Sequence, residues 1–175
     1  LNFRKYIIMK IVVLKFGGTS VGTIEKIKKV TDIIIEHKKK KNKVIVVSSA
    51  MSGVTNDLIK KSKQISNNFL EPEYDVLVSS GEQVACALIA GRLNHKGFKS
   101  RSWLGWQIPI FTTGPHTNSR IQQVYKNKLL KFLKEGGIPI ITGFQGVNIN
   151  ERVTTIGRGG SDASAIMIAK FFKAQ

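Results

Sequence analysis

The chain is short of several things, and each shortage removes a class of protein. One cysteine, Cys86, among 175 residues excludes an internal disulfide framework, and no Cys/His cluster has metal-ligand spacing. The lone thiol reads as a small core residue rather than a nucleophile, and it fits a reducing cytoplasm. No apolar run approaches membrane-spanning length. Ile7 to Phe16 is broken by Lys10 and Lys15 and has no small-residue cleavage site, so neither a span nor a signal peptide is expected, and the expected location is cytoplasmic. Internal repeats are absent, and so is low-complexity sequence apart from one lysine run.

Acidic residues are also scarce. Eleven Asp and Glu stand against 28 Lys and Arg, a net charge of +17 that invites a nucleic-acid reading. Only six of the 28 are Arg, the residue on which base readout and phosphate clamps lean. Much of the charge sits in Lys38 to Lys41 with Lys43, between a helix and a strand, where a solvated surface explains it. Nucleic-acid binding is therefore the weakest reading.

What is present is globular: 42% hydrophobic and 22% charged residues, enough chain for one domain with a sizeable core. Leu1 to Ile8 carry no turn or cap signal and are expected to be an extension, with Met9 as the start. Ile11 to Phe16 and Val44 to Ser49 are continuous apolar runs of the kind that forms strands buried on both faces. Between them Ile24, Ile27, Val30 and Ile34 mark a helix over 23–37, and a further helix is expected over 57–67. This β-α-β-α order predicts a parallel sheet with helices on both faces. After Pro72 the apolar spacing predicts two helices meeting at Gly81, where Ser79-Ser80-Gly81-Glu82 interrupts it. Short strands are expected at 99–103 and 109–112, a polar loop at 113–118, a helix at 129–134 and a last strand at 138–144.

In such a sheet ligands bind past the carboxyl ends of the strands, so the turns there are informative. Lys15-Phe16-Gly17-Gly18 sets a cation beside two glycines whose N–H groups phosphate oxygens can reach. A lysine in a buried strand is costly without an anionic partner. Ser49 to Thr55 supplies hydroxyls, and Glu82 a carboxylate able to hold an ammonium group. Gly157-Arg158-Gly159-Gly160-Ser161-Asp162 precedes a helix whose N-terminus favours anions, with Ser161 or Asp162 as its cap and Arg158 as a fork for a carboxylate. These are parts for phosphoryl transfer to an amino acid. No Walker lysine motif or His-Arg-Asp loop occurs, which excludes the commoner kinase classes.

Four segments, Lys15 to Val21, Val47 to Asn56, Ser79 to Gln83, and Gly143 to Gly146 with Thr154 to Ala165, resemble the aspartokinases. Trp103-Leu104-Gly105-Trp106-Gln107-Ile108-Pro109 is similar to the lysine-sensitive or concerted-feedback type. The resemblance runs from Met9 to Gln175 in family order. It implies a three-layer α/β/α fold with a mostly parallel central sheet, of the amino-acid kinase or carbamate kinase type, C-terminally truncated. Residues 9–175 would be the aspartate-binding part, with the nucleotide-binding half and ACT regulatory domains absent.

The resemblance further implies transfer of the γ-phosphate of ATP, with Mg2+, to the side-chain carboxylate of L-aspartate, giving 4-phospho-L-aspartate at the head of lysine, threonine and methionine (diaminopimelate) biosynthesis. By position, Lys15 would bridge the moving phosphoryl group, with Phe16, Gly17, Gly18 and Ser49 on the ATP phosphates. Thr55 and Glu82 would hold aspartate, Arg158 its α-carboxylate with Gly159, Gly160 and Ser161, and Asp162 would orient Lys15. No protein metal ligand is implied.

The chain departs from the family at Thr113-Gly114-Pro115-His116-Thr117-Asn118-Ser119-Arg120, which stands where an acidic loop ending His-Gly-Asn-Ala-Arg is usual. An inactive fragment and a non-catalytic subunit paired with a complete kinase are the alternatives, and glutamate or acetylglutamate kinases the neighbours within the class. A shortened chain is expected to leave Ile166, Ile168, Phe171 and Phe172 without a full set of core partners, favouring self-association.

Overall fold

A computed structural model describes residues 10–157 and 159–174; the expected extension with its start at Met9, Arg158 and Gln175 lie outside them. In chain order the elements are β1 (Ile11–Phe16), α1 (Ile24–Lys39), β2 (Lys43–Ser48), α2 (Val54–Ile65), α3 (Glu71–His95), β3 (Ser100–Trp103), β4 (Ile110–Thr113), β5 (Arg120–Val124), α4 (Asn127–Lys134), β6 (Ile138–Thr142), β7 (Gln145–Val147), β8 (Val153–Thr155) and α5 (Gly160–Phe172).

Four strands pair in the order β1-β2-β6-β3, all parallel, with Phe16 beside Ser48 and Ser48 beside Thr142. Alternation along the apolar strands divides their side chains between two cores. Val44, Val46, Ile138 and Ile140 pack with Ile27, Val30 and Ile34 of α1 and Ala85, Ile89 and Leu93 of α3. Ile45, Val47 and Ile141 pack on the other face with Leu129 and Leu133 of α4 and Ile168 and Phe172 of α5. This is the three-layer arrangement that two-faced apolar strands require. Each fully buried aliphatic side chain contributes roughly 1.5–3 kcal/mol, so either face alone outweighs any single polar contact.

Helix α3 corrects the sequence reading: it is one continuous helix of 25 residues, with no break at Gly81. The hydroxyls of Ser79 and Ser80 donate back to the carbonyls of Val76 and Leu77, at 3.0 and 2.7 Å, so the helix itself absorbs the groups that looked like turn formers. Gly81 is there for packing. A Cβ at that position would stand 3.0 Å from Ala50 Cβ and 3.1 Å from Val54 Cγ1, so glycine admits the start of α2 against the helix. Joined up, α3 is also long and apolar enough by composition to cross a membrane, contrary to the expectation that no run would be. Half of its apolar window is buried in the fold, where Asp75 and Glu82 are buried with it.

A second sheet, ordered β5-β4-β7-β8, flanks the first. Strand β5 falls in sequence to which no element was assigned, because its residues are mostly exposed and lack an apolar alternation. Strands β7 and β8 pair antiparallel, Gly146 beside Thr154, and frame the connection leading to α5.

The C-terminal helix corrects a further expectation. Ile168 and Phe172 are 0% and 5% exposed and Phe171 packs partly against the same core, so only Ile166, at 67%, faces solvent. Strands β1 and β2 supply the cover that following strands were expected to give. Ile168→Ala is therefore expected to cost about 2–5 kcal/mol in denaturant unfolding and Ile166→Ala less than about 0.5. Equal losses at the two positions would mean that α5 does not dock as described.

Candidate active site

Strands β1, β2 and β6 release the chain at one edge of the parallel sheet, and the turns that follow enclose an open cleft of about 330 Å³. Lys15, Gly18, Ser49, Thr55 and Glu82 line it from one group of elements, and Phe144, Gly159, Gly160, Ser161 and Asp162 from the last turn and α5. The size suits a small metabolite. Lys15 Nζ lies 2.8 Å from Asp162 Oδ1, joining the end of β1 to the first turn of α5. Asp162 is 65% exposed, so solvent screens the pair and its worth lies in aiming the lysine rather than in stability.

Glu82 is the buried charge of the cleft, 3% exposed on the inner face of α3. Its Oε1 accepts the Ala50 N–H at 3.3 Å, while Oε2 is buried with no hydrogen-bond partner among the described residues. Burial pushes its carboxyl up to about 7, partly opposed by the Ala50 N–H. A buried oxygen left unpartnered beside a cleft is suited to a cationic donor. Cys86, a turn further along, is fully buried; burial, and then the nearby Glu82, push its thiol up, so it supplies no thiolate nucleophile.

Two helices begin at the cleft, and neither is capped by a side chain. Gly53 and Gly159 are the N-cap residues of α2 and α5, both left-handed at φ 85° and 78°. The N-cap side chain of α1 behaves differently: Thr23 accepts the Lys26 N–H at 3.3 Å. First-turn N–H groups of α2 and α5 are thus not taken by a cap side chain, and their positive dipole ends meet at the same cleft. This corrects the expectation that Ser161 or Asp162 caps α5: both sit inside its first turn, and Asp162 bonds Lys15 instead.

Of the residues picked from sequence, the structure gathers Lys15, Gly18, Ser49, Thr55, Glu82, Gly159, Gly160, Ser161 and Asp162 around this cleft. Phe16 and Gly17 are not among the lining residues: Phe16 packs partly against the core shared with α1 and α3, and the Gly17 carbonyl accepts from Ser20 and Val21, turning the chain. Arg158 is outside the described residues. Sequence reasoning gave no role to Asn56 and Phe144, which also line the cleft, as does Ser52 of the Ser49 to Thr55 turn. The rule that found the others, looking just past each strand, would have found Phe144 after β6.

Fold and cleft together define an α/β protein with a cleft of small-metabolite size at the carboxyl edge of a parallel sheet. The chain belongs to the amino acid kinase family, whose model matches residues 10–175. It is 47% identical over 167 residues to an aspartokinase of Geobacillus stearothermophilus and 46% over 169 residues to one of Rickettsia conorii, in each case over 95% of this chain. It spans 41% and 42% of those proteins' length. A solved aspartate kinase from Synechocystis superposes with a TM-score of 0.79 at 39% identity, over 94% of this chain and 27% of the other. Escherichia coli aspartokinase III gives 0.83 at 24% identity over 94% of this chain and 47% of the other, a likeness of fold.

Glu82 also fixes a pH dependence. Its folded value of about 7 lies above the ordinary 4.5, so its contribution to stability is fully present below pH 4.5 and is lost as pH rises through 7. The loss amounts to roughly 3 kcal/mol. Glu82→Gln should flatten this part of the stability curve, read as unfolding midpoints between pH 4.5 and 8 without ligand; a variant curve parallel to wild type would show that Glu82 is not the group responsible.

Proposed function

We propose that the protein is an aspartate kinase, transferring the γ-phosphate of ATP to the side-chain carboxylate of L-aspartate in the first step of lysine, threonine and diaminopimelate biosynthesis. The observation that carries the reading is the unpartnered, buried Glu82 oxygen in the same cleft as the Lys15–Asp162 pair and two uncapped helix N-termini. One group suits an ammonium, the others suit carboxylate and phosphate. The aspartokinases similar to this chain supply the choice among amino acids.

In this reading Glu82 and Thr55 hold the amino-acid end of aspartate, and Arg158 takes the α-carboxylate beside Gly159, Gly160 and Ser161. A side-chain carboxylate oxygen then attacks the γ-phosphorus. The new P–O bond forms as the bond to the β-phosphate oxygen breaks, and ADP leaves with that electron pair. Lys15, aimed by Asp162, neutralises charge on the moving group, and Gly17, Gly18 and Ser49 receive phosphate oxygens. No protein nucleophile takes part, so catalysis is positioning and charge compensation.

Among the described residues no group of three or more His, Cys, Asp or Glu gathers as a metal site. Mg2+ in this reading accompanies ATP, whose phosphate charge it would neutralise. The relatives are more than twice as long as this chain, and the reading assigns the nucleotide half and the regulatory domains to that further length. A cytoplasmic site of action fits the single buried cysteine. Self-association, or pairing with a complete kinase chain, fits the exposed Val76, Val84 and Leu88 on α3.

The test is ATP-dependent formation of aspartyl phosphate, trapped as the hydroxamate, by the purified protein in the longest form its gene encodes. Lys15→Ala is expected to abolish transfer with an unchanged circular dichroism spectrum; normal turnover would remove Lys15 from the mechanism. Arg158→Ala should weaken aspartate binding about ten- to hundredfold, since a lost charged hydrogen bond costs about 1.5–3 kcal/mol. Because the ammonium needs an ionised Glu82, aspartate affinity should rise with pH up to about 7 and then level, with proton release on binding below that value. Calorimetry in buffers of different ionisation enthalpy reads that release, and a pH-independent affinity would detach Glu82 from the substrate.

A further inference from the structure

A second buried carboxylate lies on α3, two helical turns before Glu82 and so on the same side of the helix. Asp75 is fully buried, lines no part of the cleft, and its oxygens are fully engaged. His116 Nδ1 donates to Oδ2 at 2.6 Å, the Thr117 N–H lies 3.1 Å from both oxygens, and the Thr155 hydroxyl donates to Oδ1 at 2.5 Å. Every donor comes from the second sheet, two from the β4–β5 turn and one from β8.

That turn is tied directly to the cleft. The Gly157 N–H donates to the Thr117 carbonyl at 3.1 Å, and the Ser119 N–H to the Thr155 carbonyl at 2.9 Å. Gly157 lines the cleft, and a Cβ on it would stand 2.8 Å from Asn118 Oδ1, so the turn and the Gly157 segment are in close register. Thr117 itself has φ 63°, a left-handed conformation unfavourable for a β-branched residue. Something must hold Thr117 there, and its N–H is held by Asp75.

We infer that Asp75 is a positioning residue for the cleft: its carboxylate clamps Thr117 in a strained turn, and the Thr117 carbonyl in turn fixes Gly157 and the segment leading to Gly159 and Gly160. The inference rests on the aspartate-kinase reading for its kinetic consequence, not for its geometry. Asp75→Asn keeps the shape but removes the charge and replaces one acceptor oxygen by an NH2 group, so the Thr117 N–H and the Thr155 hydroxyl must share the remaining oxygen and the turn should loosen.

In steady-state kinetics of the protein in its longest encoded form, Asp75→Asn is expected to raise the aspartate KM about tenfold with kcat and the ATP KM within about twofold. Adding Thr117→Gly removes the strain that Asp75 restrains, and should recover the aspartate KM to within about threefold of wild type. A loss of kcat with unchanged KM and no recovery in the double variant is the signature of a merely structural carboxylate and overturns the proposal. Should Asp75→Asn fail to fold, Thr155→Val removes one donor at little change of volume and must still raise the aspartate KM about threefold; an unchanged value overturns the clamp. Hydrogen exchange at the Gly157 amide separates the two readings: protection should fall in Thr155→Val, and unaltered protection overturns the clamp whatever the activity. Wild-type protein that makes no aspartyl phosphate overturns the kinase reading instead.

Discussion

Two carboxylates buried on one apolar helix are the constraint on which the rest of the structure depends. A buried acid is tolerated only where donors reach it, and α3 meets that requirement in two different ways. Asp75 is satisfied from within, by a histidine, a backbone amide and a threonine hydroxyl, and thereby fastens the second sheet to the helix. Glu82 receives one N–H and keeps an oxygen bare. Satisfaction lets the first fasten and position the turn that reaches the cleft; the open oxygen leaves the second suited to a cationic donor. The helix can bear both because Ala85, Cys86, Ile89, Ala90 and Leu93 pack its C-terminal half into the core on the sheet, so hydrophobic burial offsets the cost of the open oxygen.

The parallel sheet determines where that oxygen faces. Strands apolar on both sides demand helices on both sides, and parallel pairing then delivers every strand end to the same edge. Lys15, Ser49 and Phe144 meet there because β1, β2 and β6 are neighbours with Phe16, Ser48 and Thr142 in line across the ladder. The functional side chains need no long-range attraction to find one another. The same pairing that buries Val46 and Ile140 brings them together.

Much of this was legible in the chain, for identifiable reasons. The buried strands and α1 announce themselves by continuous or periodic apolar residues, and the cleft residues by following those strands. The reading failed where tertiary contact overrides local chemistry. Gly81 looks like a helix breaker until α2 is packed against it, and Ser79 and Ser80 look like turn formers until their hydroxyls bond the preceding turn. Strand β5 has no apolar alternation because most of it faces solvent. Asp75 carried no sequence signal, since an acid near the start of a helix ordinarily needs no explanation beyond the dipole. Only the His116 and Thr117 donors, some forty residues on, distinguish it.

Backbone conformation around the cleft completes the logic. Gly53, Phe144, Gly157 and Gly159 all have positive φ, and all four line the cleft. Three are glycines, for which this conformation is inexpensive; Phe144 is not, and it persists because its N–H donates to Ser164 Oγ and its carbonyl accepts from Ile156. Each such residue turns the chain sharply at a strand or helix end, so that peptide groups rather than long side chains form much of the wall. Peptide groups held by the fold lose little conformational entropy when a ligand arrives, whereas flexible side chains must be ordered first. A site that stabilises transferring charge by prearranged dipoles has to be built in this way, because donors that reorganise during the reaction give back much of the stabilisation they supply.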